Sequence, residues 1–172
     1  MTVVLGAGNR WRRDDGAGRD VAHRLRQRLP ESARVVEVSG EATELLAAWE
    51  GAEAAVVVDA VSSGSPPGTV HRFDAAAEPL PASLTTPSSH GFGVAQAVEL
   101  GRRLGRLPPR LVVYGVEGED FGHGEGLSPT VERAVGEVVE AVVGEVIGRT
   151  SPRSPAECSR PATVGSGGPP RP

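Results

Sequence analysis

The sequence predicts an α/β protein, a three-layer α/β/α sandwich built on a mixed, mostly parallel sheet of about five strands. Three observations carry that reading. Strand-like and helix-like stretches alternate from the first residues to about position 148, the order that parallel strands joined by crossover helices require. Ala54 to Val61 is an apolar run interrupted only by Asp59, which suits a central strand covered on both faces. Thr69 to Phe73 instead alternates, with Val70 and Phe73 among polar neighbours, as an antiparallel edge strand does.

Thr2-Val3-Val4-Leu5 runs into Gly6-Ala7-Gly8-Asn9, a strand followed by a tight turn. Between Gly18 and Leu29, Val21, Leu25 and Leu29 recur every fourth residue, one face of a helix that Pro30 ends. Arg34 to Val38 reads as a second strand, and Leu45, Leu46 and Trp49 mark the apolar side of a short helix before Gly51. Ser62 to Gly68 is a turn cluster. Val94, Ala97 and Val98 give a later helical stripe, and Leu111 to Val116 a last strand. Ser128-Pro129 then forms a helix start, serine as N-cap and proline at the first helical position. Val131, Val135, Val138, Val142 and Val146 carry that helix to about Gly148. One domain is therefore expected over residues 1–148. Residues 149–172 are rich in Pro, Ser, Gly and Arg without apolar periodicity and are expected to be disordered.

Composition removes several function classes. All 18 basic residues are arginine, so Schiff-base, lysine-nucleophile and Walker-lysine chemistry are excluded. A net charge of -4 argues against a broad nucleic-acid or anionic-membrane surface. The single Cys158 lies in the tail, where nothing ordered would lower its pKa, and no thiolate zinc site can form. The chain opens directly into a strand-like run with no signal-like segment, and no stretch has the roughly 18 apolar residues that span a bilayer. A cytoplasmic soluble protein is expected.

Three potential metal ligands stand where predicted strands end or loops turn: Asp15 after the first strand, Asp59 closing the third and His90 in a later loop. Two carboxylates and an imidazole can hold a divalent cation and leave positions for a substrate. Each has a plainer reading. An Asp in Asp14-Asp15-Gly16 can cap the first helix, although one cap suffices and adjacent carboxylates repel. Asp59 can accept from Ser62 or Ser63, and a loop histidine is usually just solvated. Asp14 is read as the helix cap in preference to a general base. His23 and His71 read as incidental, and His123 as a weaker supporting or substrate-contact residue. Gly6-Ala7-Gly8 does not make a dinucleotide loop, because Trp11 occupies the third glycine position and Glu37 only loosely offers the ribose acid.

Taken together, these segments resemble the hydrogenase maturation endopeptidases over residues 2 to about 147. The resemblance is carried by Leu5-Gly6-Ala7-Gly8-Asn9, Asp14-Asp15-Gly16-Ala17-Gly18, Val57-Val58-Asp59-Ala60-Val61 and Pro66-Pro67-Gly68-Thr69. Ser89-His90-Gly91, Tyr114-Gly115-Val116-Glu117 and Gly126-Leu127-Ser128-Pro129-Thr130-Val131 complete it, in the family's order and spacing. It implies a phosphorylase/hydrolase-like fold and places the family's metal ligands on Asp15, Asp59 and His90. It also implies an endopeptidase that removes a C-terminal extension from the large-subunit precursor of a nickel–iron hydrogenase, in a transient complex. The nickel carried by that substrate would serve as the recognition element, with zinc as the alternative ion. Val38-Ser39-Gly40-Glu41 departs from the family's Gly-Gly-Thr turn at a plausible substrate contact, and Asp15 is one methylene shorter than the Glu some members carry.

A metal-assisted route is also what the residues leave open. The chain has no Gly-x-Ser-x-Gly elbow, no cysteine outside the tail and no His-Glu-x-x-His helix. Two rival readings remain: a non-catalytic scaffold for the immature subunit, and a peptidyl-tRNA hydrolase-like enzyme. The second shares Gly-x-Gly-Asn after its first strand but wants a nearby histidine and a basic face.

Overall fold

The computed structural model describes residues 1–81 and 93–150. Five strands form one sheet: β1 (Thr2–Ala7), β2 (Ala33–Val38), β3 (Ala54–Val61), β4 (Val70–Asp74) and β5 (Arg110–Glu117). Their spatial order is β2-β1-β3-β5-β4, parallel throughout except for β4, which pairs antiparallel with β5 at the edge. The mixed five-stranded sheet expected from the sequence is the one observed. The all-apolar run does form a central strand, and every residue of β3 is buried.

Helices cover both faces because alternate strand residues point to opposite sides. Leu5, Val57 and Val113 pack in one layer with Leu45 and Leu46 of α2 (Ala42–Ala48), with Trp49 just beyond it, and with Ala97 and Val98 of α3 (Val94–Leu104). Val4, Val56 and Val112 pack in the other with Val21 and Leu25 of α1 (Ala17–Leu25) and the valine stripe of α4 (Pro129–Thr150). α1 is shorter than the periodicity suggests, and Leu29 packs from the turn beyond it, partly buried. α4 extends two residues past the expected end, and residues 151–172 lie outside the described residues. Among the described residues no helix is long and apolar enough to cross a membrane.

One close approach fixes how α1 sits on the sheet. A Cβ at Gly18 would fall 2.2 Å from the Val58 carbonyl oxygen and 2.4 Å from that of Ala7. Gly6 on β1 is equally tight, since its Cβ would meet the Gly18 carbonyl oxygen at 2.2 Å. Both contacts are with backbone, which cannot rotate away. Gly18→Ala is therefore expected to destabilise the protein by about 3 kcal/mol or more, although alanine is intrinsically the better helix former by about 1 kcal/mol. Chemical denaturation reads the sign; a stabilised variant would mean that helix and sheet can part at little cost.

Candidate functional site

The sheet order creates a crevice. From β1 the chain crosses through α1 to β2 on one side, then through α2 back past β1 to β3 on the other. Ligands in open α/β sheets bind at such a reversal, beyond the carboxyl ends of the strands. Asp15 and Asp59 both stand there. Asp15 lies in a 3-10 turn, Arg13–Gly16, that follows β1, and its Oδ2 accepts from the backbone N–H of Asn9 at 3.0 Å. Asp59 lies near the end of β3, and its Oδ1 accepts from the N–H of Ala60 at 2.9 Å. The expected capping bond from Ser62 or Ser63 is not the one Asp59 makes, and Ser63 turns to Glu117 instead.

Gly8 brings the two acids together. Its φ of 121° belongs to the region that favours glycine, and a Cβ there would lie 1.9 Å from the Asp15 carbonyl oxygen and 3.8 Å from Asp59 Oδ1. Any side chain would hold the turn off the strand. Both carboxylates are 8% exposed. Burial, and then the charge of Asp15, push the Asp59 carboxyl up to about 7, against which the Ala60 N–H works only in part. Two mutually repelling, buried oxygen-donor groups are a chemical fit for a hard or borderline cation, which would relieve both penalties.

Among the described residues no three His, Cys, Asp or Glu side chains gather in a metal-binding group. His90 lies outside the described residues, so the pair of acids is what the structure assembles. α3 runs into the loop before the start of β5, so its own first residue, Val94, stands at the carboxyl end of the sheet. Val94 belongs to the same apolar layer as Ala7 and Val38.

Asp14 has a different job from its neighbour. Its carboxylate is fully buried and accepts from the N–H groups of Glu119 (2.8 Å), Asp120 (2.9 Å) and Ser128 (2.7 Å) and from the Ser128 hydroxyl (2.9 Å). Burial alone would raise its pKa; the hydrogen bonds from Ser128, Asp120 and Glu119 outweigh that and hold it below the usual value. Neither the 3-10 turn nor α1 has a side-chain cap bond, so the expected capping role is not what Asp14 performs. It ties the β5–α4 loop to the turn that carries Asp15.

A fourth buried acid was not singled out from sequence. Glu117, at the end of β5, is 1% exposed and accepts from the Ser63 N–H, the Ser63 hydroxyl and His71 Nε2 at 3.2 Å. His71 is thus an anchored residue of the edge strand rather than an incidental one, and it stacks on Phe73. The cluster clamps the β3–β4 loop onto β5 one face-row beyond Asp59, which pairs with Gly115. The sequence signal was the polar position at the end of an apolar strand, Glu117, the same signal that marked Asp59. His23 and His123 are both exposed.

Known proteins similar to this chain include hydrogenase maturation proteases. The family model "Hydrogenase maturation protease" matches residues 20–145. The chain is 31% identical over 145 residues to a hydrogenase 2 maturation protease of Escherichia coli (strain K12), covering 82% of this chain and 87% of that one. It is 28% identical over 167 residues to the hydrogenase expression/formation protein HoxM of Cupriavidus necator, covering 91% and 83%. Among solved structures it is similar to the hydrogenase maturating endopeptidase HybD from E. coli, with a TM-score of 0.73 at 28% identity over 87% of this chain and 94% of that chain.

Proposed function

The chain belongs to the hydrogenase maturation protease family, and from that premise we propose that it is a metal-dependent endopeptidase acting on a nickel–iron hydrogenase large subunit. It removes the C-terminal extension of the precursor after nickel insertion, in a transient complex in the cytoplasm. The observation that carries this reading is the buried pair Asp15 and Asp59 at the switch point, with Asp59 pushed up to about 7. A peptide-bond hydrolase must polarise the scissile carbonyl, and a cation held by the two carboxylates would do so.

Asp15, Asp59 and His90 are the residues that would hold the cation. Bound there, it would supply the positive charge that polarises the carbonyl or acidifies a water. The chain's own residues do the rest. The Asn9 and Ala60 N–H groups aim the two carboxylates. Gly8 sets their separation. Asp14 is a poor general base here, because its carboxylate already accepts four hydrogen bonds. The nickel already seated in the substrate is the recognition element, and zinc is the alternative ion at the acids.

The test incubates purified protein with nickel-loaded and nickel-free precursor and follows the mass of the large subunit. A mass loss confined to the nickel-loaded form is expected. Asp15→Ala and His90→Ala should each lower the rate at least about 100-fold with the fold intact by circular dichroism. Wild-type processing by the His90 variant would remove it from the site, and an uncut precursor in a stable complex would favour a scaffold.

A further inference from the structure

The loop between β1 and Asp15 presents a feature that the proposed chemistry does not use. Trp11 is 61% exposed, whereas the other tryptophan of the chain, Trp49, is 1% exposed in the core. A mobile loop would make such exposure uninformative, but this backbone is pinned at nearly every step. The Trp11 N–H donates to the Asn9 side chain at 3.0 Å and the Arg12 N–H to the Asn9 carbonyl at 3.1 Å. Gly124 donates to the Trp11 carbonyl, and Arg13 donates to that of Gly124, both at 2.9 Å. Asn9 in turn donates to the Asp15 carboxylate. A rigid scaffold therefore holds a large apolar side chain out in water, a few residues from the acids.

Arginines gather around it although the whole chain is acidic. Arg10 and Arg13 of the same loop line a groove of about 300 Å³ together with Arg19 and His23. The carboxylate of Glu37 is shared by Arg10 at 2.6 Å, Arg26 at 3.0 Å and Arg19 at 4.0 Å, one negative charge against three guanidinium groups. Asp20 and Glu125 also line the groove, but Asp20 is taken by Arg24 at 2.7 Å. Arg13 pairs with Asp120 at 3.2 Å, and the side chains of Arg10 and Arg13 remain about half exposed.

We propose that Trp11, flanked by Arg10 and Arg13, is the docking anchor for the protein substrate, seating its indole in an apolar pocket bordered by carboxylates on the precursor. Tryptophan and arginine on a preorganised loop are the residue types that dominate binding energy at protein interfaces, because little freedom is lost when they are buried. The half-exposed Arg10 and Arg13 side chains favour carboxylates on the partner beside the indole. Docking at this loop engages the segment that leads into the turn carrying Asp15. The inference rests on the reading given under Proposed function and adds to it where the substrate is gripped.

The experiment uses the full chain and nickel-loaded precursor, with two readouts. Tryptophan emission should shift to the blue and become protected from acrylamide when precursor is added, and Trp11→Phe should abolish both changes. In processing assays Trp11→Ala should raise KM at least about tenfold with kcat within a few-fold, Trp11→Phe should recover part of the loss, and Arg10→Glu with Arg13→Glu should raise KM further at low salt. An unshifted emission with KM unchanged in Trp11→Ala would overturn the proposal, as would a Trp11-dependent dimer of this chain that the precursor does not displace. If precursor is bound through Trp11 yet never cut, the docking anchor stands and the proteolytic reading fails. If it is cut with Trp11 irrelevant, the reverse holds.

Discussion

In metal-free protein, Asp59→Asn is expected to stabilise the fold by about 2–4 kcal/mol at pH 8 while reducing processing to background. The carboxyl of Asp59 is pushed up to about 7 by burial and by Asp15. In the unfolded chain the group ionises near its ordinary value of 3.8. A group whose folded pKa is raised contributes its full stability below the unfolded value, and that contribution is lost as pH climbs through the folded one. The wild-type protein without metal should therefore weaken between about pH 4 and pH 7 and stay weakened above. Asparagine keeps the shape and the acceptor for the Ala60 N–H but carries no charge, so the slope disappears with it. The gain over wild type should be under about 1 kcal/mol near pH 4.5 and reach its full size by pH 8. Urea denaturation in the presence of a chelator at the two pH values measures this. A variant less stable than wild type at pH 8 would show that the Asp15–Asp59 repulsion is already relieved by the protein alone. On the proposed reading the gain in stability and the loss of activity have one origin: a charge kept where it is costly, which a bound cation would offset.

How far such a site can be read from sequence depends on the range of the forces that build it. The sheet was legible because its signals are local. β3 is a continuous apolar run, and α4 repeats valine at helical spacing. Asp59 announced itself as a charge inside that run, and Asp15 as one of two acids in a glycine-bounded turn. What stayed hidden is the division of labour between Asp14 and Asp15. They are neighbours in the chain, yet the 3-10 turn sends one carboxylate to Asn9 and the other to residues 119, 120 and 128, more than a hundred positions away. Nothing in the local pattern distinguishes them. The same holds for Gly6, read as part of a turn, and Gly18, read only as a helix start, which together form the contact on which α1 rests. His71 looked incidental because its partner, Glu117, lies forty-six residues on and across the sheet.

That division of labour yields the second large effect. Asp14→Ala should destabilise the protein by about 3–5 kcal/mol, since removing one carboxylate strands three backbone N–H groups and a hydroxyl, each costing about 1–3 kcal/mol before the loop relaxes. The amides of Glu119, Asp120 and Ser128 should lose hydrogen-exchange protection ahead of the rest. The acid behaviour runs opposite to that of Asp59. Hydrogen bonds from Ser128, Asp120 and Glu119 win over burial and hold the Asp14 carboxyl below its ordinary value. A depressed group gives its stability above the unfolded pKa and loses it as pH falls through the folded one, so this contribution should vanish only in acid below about pH 4. Asp14→Asn sharpens the point. Its amide oxygen still accepts from part of the loop, so the variant should fold with a smaller deficit and process precursor within about tenfold of wild type. Background activity from a folded Asp14→Asn protein would mean that its proton chemistry, and not the loop it holds, is what hydrolysis needs. The two adjacent aspartates differ in what they face: Asp14 is saturated by the protein, whereas Asp15 is aimed with Asp59 into the crevice.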